Sequence, residues 1–292
     1  MVPPLRLRVE TYDVFASKPF QGNQLAVFSG EDVARAPMQA LAREMNYAES
    51  TFVLPGEGEK RRFRIFTCEK ELPFAGHPTL GTAYHVLRDL EGNSVELECE
   101  AGAVRVTRED SGLLWMRQLP PTFGPLLSTA ELSTALGCDE EALDKTFPAQ
   151  VVSTGTPFAI VALRSLRALE ELSRSGAPLG FLCKTRGVVG IYCVAMGGRD
   201  DSHTVSARSF VDEVTVPEDP ATGSACGCFA AWSVRTGFLQ SPATAVVGQG
   251  FEMGRPSLLH VRVGGGGDSD ICVQVGGRVV PVLTGATVCC DT

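Results

Sequence analysis

Long apolar runs are missing from this chain of 292 residues. No stretch reaches the roughly 18 to 20 consecutive apolar residues that a membrane-spanning helix needs. The segment Met1-Val2-Pro3-Pro4 is followed by a strand-like pattern rather than by the apolar region of a signal peptide. We therefore expect a cytoplasmic protein that has no membrane partner.

Positive charge is also scarce. The chain has 26 Lys and Arg against 34 Asp and Glu, which gives a formal net charge of −8. Proteins that bind nucleic acid cluster their basic residues, because they neutralise phosphates. The one basic cluster, Lys60-Arg61-Arg62, is explained by a solvated turn. The composition therefore argues against a nucleic-acid partner.

Metal-binding patterns are absent as well. The ten cysteines are scattered, and none forms a C-x-x-C pair or a zinc-type spacing with histidine. The closest pair is Cys226-x-Cys228, which is a weak signal. A chain of this length needs no disulfides to fold, so most of these thiols are expected to be structural. We predict no metal site.

The length suits two domains, and the pattern of residues indicates where they meet. The Pro-rich stretch 119–125 interrupts regular structure and is the best linker candidate. We therefore predict an N-terminal half-domain over residues 1–120 and a C-terminal half-domain over 121–292, whose final strand could return to the first half. The periodicities predict strands throughout, with helices over 31–44, 76–90, 164–174 and 222–236.

An internal repeat links the two halves. Arg64-Ile65-Phe66 precedes a loop that runs from Leu72 to Thr79 and then a helix. Arg208-Ser209-Phe210 precedes a loop that runs from Val216 to Ser224 and then a helix that is apolar on nearly all sides. A helix without a polar face must be buried. Two pseudo-symmetric halves follow, and a site shared by them is expected between them.

Each repeated loop ends at the start of a predicted buried helix. The first backbone N–H groups of a helix lack partners, and the helix dipole adds about half a positive charge there. A substrate carboxylate fits such a position, and glycine lets it approach the backbone. The alternative is that Thr79 and Thr222 or Ser224 only cap their helices. Because the loops form a similar pair, we favour a ligand site.

Three side chains are candidates for chemistry. His77 lies in the first loop, and histidine is a natural proton carrier, although it could equally be a hydrogen-bonded cap residue. Glu49 stands at a helix-to-strand junction beside an apolar run, which suits an acid/base that works near neutral pH. An exposed turn carboxylate would look the same. Asp219 carries the same ambiguity, because aspartate before proline is also a turn former.

Several motifs together resemble the phenazine-biosynthesis PhzF-like family. They occur in order along nearly the whole chain. The motifs are Pro19-Phe20-Gln21-Gly22-Asn23, Asn46-Tyr47-Ala48-Glu49-Ser50, Phe74-Ala75-Gly76-His77-Pro78-Thr79, Glu218-Asp219-Pro220-Ala221-Thr222-Gly223-Ser224-Ala225, Gly248-Gln249-Gly250, Gly254-Arg255-Pro256-Ser257 and Val275-Gly276-Gly277.

This resemblance implies an α+β fold similar to diaminopimelate epimerase. In that fold each half-domain is a curved, barrel-like β-sheet around a central helix. The resemblance also implies an isomerase similar to trans-2,3-dihydro-3-hydroxyanthranilate isomerase, which shifts a double bond by proton transfer without a cofactor. Consistent with this, the chain has no nicotinamide or flavin motif.

The family resemblance assigns roles to residues of this chain. Glu49 is implied as the catalytic acid/base, with His77 and Asp219 taking part in catalysis or proton handling. Substrate binding is implied for the remaining candidates. These are Asn23, Gly76, Pro78, Thr79, Thr222, Gly223 and Ser224.

Two other functions stay open. An epimerase or racemase could use a thiol with a carboxylate, although the epimerase places a cysteine at each helix start and this chain has none there. Cys68 and Cys226 are the nearest thiols. A non-catalytic binding protein could also keep the scaffold. The expected partners are a small carboxylate substrate and a second copy of the chain in a homodimer, since twofold dimers are the commonest assemblies.

Overall fold

The computed structural model describes residues 5–56, 58–173, 176–212, 218–265 and 271–289. These residues divide into two compact units. The first contains the described residues up to Met116 together with those from Gly276 onward, and the second runs from Arg117 to Val275. Among the described residues, no helix combines the length and apolar character needed to cross a bilayer.

The first unit wraps its strands around one helix. In chain order its elements are β1 (Leu5–Val14), β2 (Asn23–Ser29), a 3-10 helix (Glu31–Arg35), α1 (Met38–Met45), β3 (Glu49–Val53), β4 (Lys60–Phe66), β5 (Glu71–Leu72), α2 (Gly76–Leu87), β6 (Ser94–Cys99), β7 (Gly102–Arg108) and β8 (Leu114–Arg117). Every residue of α2 except Tyr84 is buried. The helix contacts β1, β2, β3, β6 and β7, so strands surround it.

The second unit repeats this design around a longer helix. Its elements are β9 (Thr122–Leu126), α3 (Thr129–Leu136), a 3-10 helix (Glu140–Ala142), β10 (Gln150–Ser153), β11 (Pro157–Ala162), α4 (Leu166–Glu170), α5 (Gly176–Arg186), β12 (Gly190–Met196), β13 (Val205–Val211), β14 (Glu218–Asp219), α6 (Gly223–Thr236), β15 (Ala243–Gln249), β16 (Ser257–Gly264) and β17 (Cys272–Gly277). Helix α6 contacts β10, β11, β12 and β16, and its middle is buried as its apolar sequence requires.

The last strand, β18 (Val279–Cys289), belongs to the first unit. It pairs antiparallel with β1 along the whole length of that strand. The N-terminal and C-terminal segments of the chain therefore share one sheet.

Strand pairing reproduces the repeat that the sequence indicates. In the first unit β2 and β3 are parallel, β4 is antiparallel to β3 and to β5, and β6 is parallel to β4 and antiparallel to β7. In the second unit β11, β12, β13, β14, β15 and β16 pair in the same order and with the same directions. Val216 and Pro217, which begin the second predicted loop, lie outside the described residues.

The strand register shows which single residues of the two units correspond to each other. Ile65 pairs with Leu72 on β5, and Ser209 pairs with Asp219 on β14. Leu72 therefore corresponds to Asp219. Four residues further along each chain segment, Gly76 corresponds to Gly223, and each begins the central helix of its unit. The predicted α+β fold, with two similar half-domains around central helices, is confirmed.

Some local predictions were wrong. The predicted helix over 31–44 is a 3-10 helix and α1 instead, separated by Pro37, which lacks the N–H that a continuous helix needs. The stretch 119–125 is not wholly irregular, because Thr122–Leu126 pairs with β10 as β9. The helix predicted over 164–174 is only the five-residue α4. Helices α3 and α5 and strand β15 were not predicted.

Candidate active site

Three candidate residues of the first unit meet because of where their elements begin. Asn23 is the first residue of β2, Glu49 the first of β3, and His77 the second of α2. Strands β2 and β3 are parallel, with Leu25 opposite Glu49, so both start at the same edge of the sheet. Helix α2 begins at that edge too.

Their side chains form one cluster. His77 Nε2 lies 3.4 Å from Glu49 Oε2, and His77 Nδ1 lies 3.2 Å from Asn23 Nδ2. The His77 side chain is 5% exposed and the Glu49 side chain 18%, although Glu49 Oε2 itself is buried. Glu49 is thus the partly exposed member of the cluster, while Asn23 and His77 are buried.

Burial sets the charge of the histidine. Removal from water lowers the pKa of His77 to about 3, and a backbone hydrogen bond with Gln24 opposes this only in part. The imidazole is therefore neutral near pH 7. Asn23 Nδ2 lies against His77 Nδ1, while His77 Nε2 faces Glu49 Oε2 with no hydrogen bond between these two atoms. The neutral ring therefore contacts the carboxylate without placing a full positive charge beside it.

The start of α2 is not capped by a side chain. Its N-cap is Ala75, which has no side-chain acceptor to offer. Thr79 is fully buried, and its hydroxyl donates to the Ala75 carbonyl at 2.7 Å. Pro78 has no N–H, so the amides of Gly76 and His77 are the first donors of the helix. The capping alternative for Thr79 was wrong.

The second unit places Asp219, Thr222, Gly223 and Ser224 together at the start of α6. Thr222 is the N-cap residue, but its hydroxyl makes no capping bond and donates instead to Asp219 Oδ2 at 2.6 Å. The capping alternative was therefore wrong for Thr222 as well. Gly223 and Ser224 open the helix, with Ser224 at the position that His77 occupies in the first unit.

Sequence reasoning assigned no role to Gln249, which organises this second helix start. Its Nε2 donates to the Asp219 carbonyl at 2.7 Å and to the Thr222 hydroxyl at 3.0 Å. Its Oε1 accepts the Thr222 N–H at 3.2 Å and the Tyr192 hydroxyl at 3.1 Å. Gln249 belongs to the family motif Gly248-Gln249-Gly250, so the sequence did offer a reason to consider it for the site. Tyr192 lies inside the apolar strand β12, and no sequence feature pointed to a role for it.

The thiols are poorly suited to proton transfer. Cys226 is fully buried inside α6, and desolvation raises the pKa of its thiol to about 12. A thiol that stays protonated at neutral pH cannot accept a proton from a substrate carbon. Cys68 lies in the first unit, where its thiol contacts the Tyr47 carbonyl at 3.4 Å. This arrangement argues against an epimerase that uses Cys226 as a base.

Within the part of the chain that the structure describes, the side chains form no cluster suited to binding a metal ion. No group of three or more His, Cys, Asp or Glu residues there is placed to hold an ion.

Comparison with known proteins identifies the family. The family model for phenazine biosynthesis-like proteins matches residues 12–285. The chain belongs to the phenazine biosynthesis-like family. A trans-2,3-dihydro-3-hydroxyanthranilate isomerase of Pseudomonas fluorescens is 37% identical over 282 residues, which cover 94% of this chain and 97% of that protein. On the strength of such relatives, the chain is an isomerase.

Solved structures agree with this membership. A Bacillus anthracis phenazine biosynthesis protein of the PhzF family superposes with a TM-score of 0.87 at 25% identity, over 97% of this chain and 99% of that one. A probable proline racemase of Agrobacterium radiobacter gives a TM-score of 0.65 at 12% identity, over 96% and 92% of the two chains. The racemase shares the fold alone.

Proposed function

We propose that this phenazine biosynthesis-like isomerase moves a proton within a small carboxylate-bearing substrate, with Glu49 as acid and base and without a cofactor. The observation that carries the proposal is the contact of 3.4 Å between the Glu49 carboxylate and the neutral His77 ring. A partly buried carboxylate beside a neutral ring has the environment that suits a general base.

The proposed reaction needs one proton and one double-bond shift. Glu49 takes a proton from a substrate carbon, and the C–H electrons move into the adjacent unsaturated system. The protonated Glu49 then returns the proton to a different carbon of that system, so the product is an isomer. In this proposal the amides of Gly76 and His77 at the start of α2 bind negative charge that builds up on the substrate.

At the strand position of Glu49, the repeat offers a carboxylate in the first unit but not in the second. Ser50 pairs with Phe66 and Ile191 pairs with Phe210, so Gly190 corresponds to Glu49. A Cβ atom at Gly190 would lie 2.3 Å from the Phe210 carbonyl oxygen, which leaves no room for a side chain. The second unit therefore offers different groups, among them Asp219, Thr222, Gly223 and Ser224.

We propose that these second-unit groups bind a carboxylate-bearing ligand at the start of α6. Asp219→Asn should weaken the binding of such a ligand, as measured by its dissociation constant, and unchanged binding would contradict this. We take trans-2,3-dihydro-3-hydroxyanthranilate as the first substrate to try, because the Pseudomonas fluorescens relative is named as an isomerase of it.

The decisive test is Glu49→Gln, which keeps the side chain's shape and removes its basicity. Turnover and incorporation of solvent deuterium into the product should both fall, by about 10²-fold or more. Glu96→Gln is the control, because Glu96 lies on β6 and pairs with the exposed Lys60. It should behave like the wild type. Unchanged turnover in Glu49→Gln would refute the proposal.

Cytoplasmic location and a homodimer remain proposals. The dimer rests on the general frequency of twofold assemblies. Sedimentation at micromolar concentration should give about twice the chain mass, and a monomer there would overturn it.

A further inference from the structure

A buried amide in the second unit has a donor without an acceptor. Gln118 is 6% exposed, and its Nε2 has no hydrogen-bond partner among the described residues. The other end of the amide is held, because Oε1 accepts the Thr154 hydroxyl at 3.3 Å. Thr154 is itself buried. The amide is therefore held at its oxygen end, and its NH2 group is the end left over.

The amide lies against α6 at the position of Gly227. A Cβ atom built at Gly227 would be 3.0 Å from Gln118 Oε1. Cα–Cβ bonds of a helix tilt toward its N-terminus, so the space beside a Cβ covers the preceding turn. Gly223 and Ser224 occupy that turn, three and four residues before Gly227. The amide that carries the unmet donor therefore lies beside the helix face to which Gly223, Ser224 and Gly227 belong.

The opening for this amide exists in one unit only. Leu72 corresponds to Asp219 in the strand register, so Leu80 of α2 corresponds to Gly227 of α6. Leu80 is fully buried in the first unit. In the second unit glycine replaces that side chain, and Gln118 uses the space. Burying an amide N–H without an acceptor is unfavourable, so the arrangement implies an acceptor that arrives from outside the chain.

We propose that Gln118 is a specificity-determining residue, whose Nε2 donates a hydrogen bond to a carboxylate or hydroxyl oxygen of the substrate at the start of α6. This inference rests on the proposed function. The uncapped helix start attracts the negative group, and the amide selects ligands that present an oxygen on its side. Ligands without that oxygen lose the contact and leave the donor unmet.

The experiment compares Gln118→Met with Gln150→Met. Gln150 is the matched control, because it is 8% exposed in the same unit and its Nε2 is satisfied by the Gly124 carbonyl at 2.9 Å. The probe is 3-hydroxyanthranilate, an aromatic relative of the proposed substrate that cannot isomerise. Its dissociation constant is measured by calorimetry, and the melting temperature is measured without ligand.

Gln118→Met should weaken probe binding about tenfold and lower the melting temperature less than Gln150→Met does, because it loses the long Thr154 hydrogen bond but also removes a buried donor without an acceptor. Gln150→Met should lower the melting temperature by about 2 to 4 °C and leave binding unchanged. Wild-type affinity in Gln118→Met, or a melting temperature as low as that of Gln150→Met, overturns the inference, since the amide would then be structural or bound to water.

The proposed function fails differently. Wild-type protein that binds the probe but isomerises no related substrate overturns proton transfer by Glu49, while the Gln118 comparison still stands. Wild-type protein that does not bind the probe overturns both, because each requires a carboxylate-bearing ligand.

Discussion

Two arginine–glutamate pairs occupy equivalent places in the repeat, and we predict that they differ several-fold in their contribution to stability. Arg64 binds Glu71 through hydrogen bonds of 2.7 and 2.6 Å. Arg208 binds Glu218 through two of 2.8 Å. The geometry is the same, but the first pair is 45% and 32% exposed and the second 8% and 15%.

Burial determines the magnitude. Breaking an exposed pair removes about 0.2 to 1 kcal/mol, because water solvates the remaining charge. Breaking a buried pair removes about 3 to 5 kcal/mol, because the remaining charge lacks compensation. Arg208 also donates to the carbonyls of Leu169, Glu170 and Leu172, so its loss leaves those acceptors unmet too.

The perturbations are Arg64→Met and Arg208→Met, which keep most of the aliphatic volume. Thermal unfolding should show a loss of at most a few degrees for the first. For the second we expect roughly 6 to 20 °C, at 2 to 4 °C per kcal/mol in a unit of this size. Equal losses in the two variants would refute the argument from burial. Arg208→Met should also weaken ligand binding, because Glu218 directly precedes Asp219 at the start of α6.

Three further predictions concern single residues. The pKa of His77 is about 3 in the folded chain, against about 6.5 unfolded, so its contribution to stability is present above pH 6.5 and is lost as the pH falls toward 3. Urea titrations should show His77→Gln losing less stability than wild type across that range, and parallel curves would contradict this. Iodoacetamide at pH 8 should modify the exposed Cys272 and spare Cys226, as peptide mass spectrometry can check; alkylated Cys226 in folded protein would contradict its burial. Gly190→Ala should lower the free energy of unfolding by about 1 to 3 kcal/mol, because the added Cβ meets the Phe210 carbonyl; wild-type stability would show that the strand shifts freely.

Local patterns were sufficient for much of the fold. Helices α2 and α6 follow from apolar positions and from the glycines that begin them, and the internal repeat predicted two similar halves. The helix predicted over 31–44 failed, because periodicity does not register the backbone N–H that Pro37 lacks.

For the candidate site, too, some features could be predicted from the sequence and others required the structure. Family motifs were enough to select Glu49, His77 and Asn23, and the parallel start of β2 and β3 explains why they meet. The protonation state of His77 could not be inferred from sequence, because it depends on complete burial. Sequence reasoning treated it as a proton carrier of near-neutral pKa, whereas desolvation keeps the ring neutral.

What the sequence by itself determined is the family, the repeat and the chemical types present at each helix start. Only the tertiary structure decided which side chains touch there. Gln249 lies 27 residues from Thr222 and Gln118 lies 36 from Thr154, yet both pairs share hydrogen bonds. Such contacts depend on strand register and on space left by glycine, and neither quantity is encoded in the periodicity of one segment.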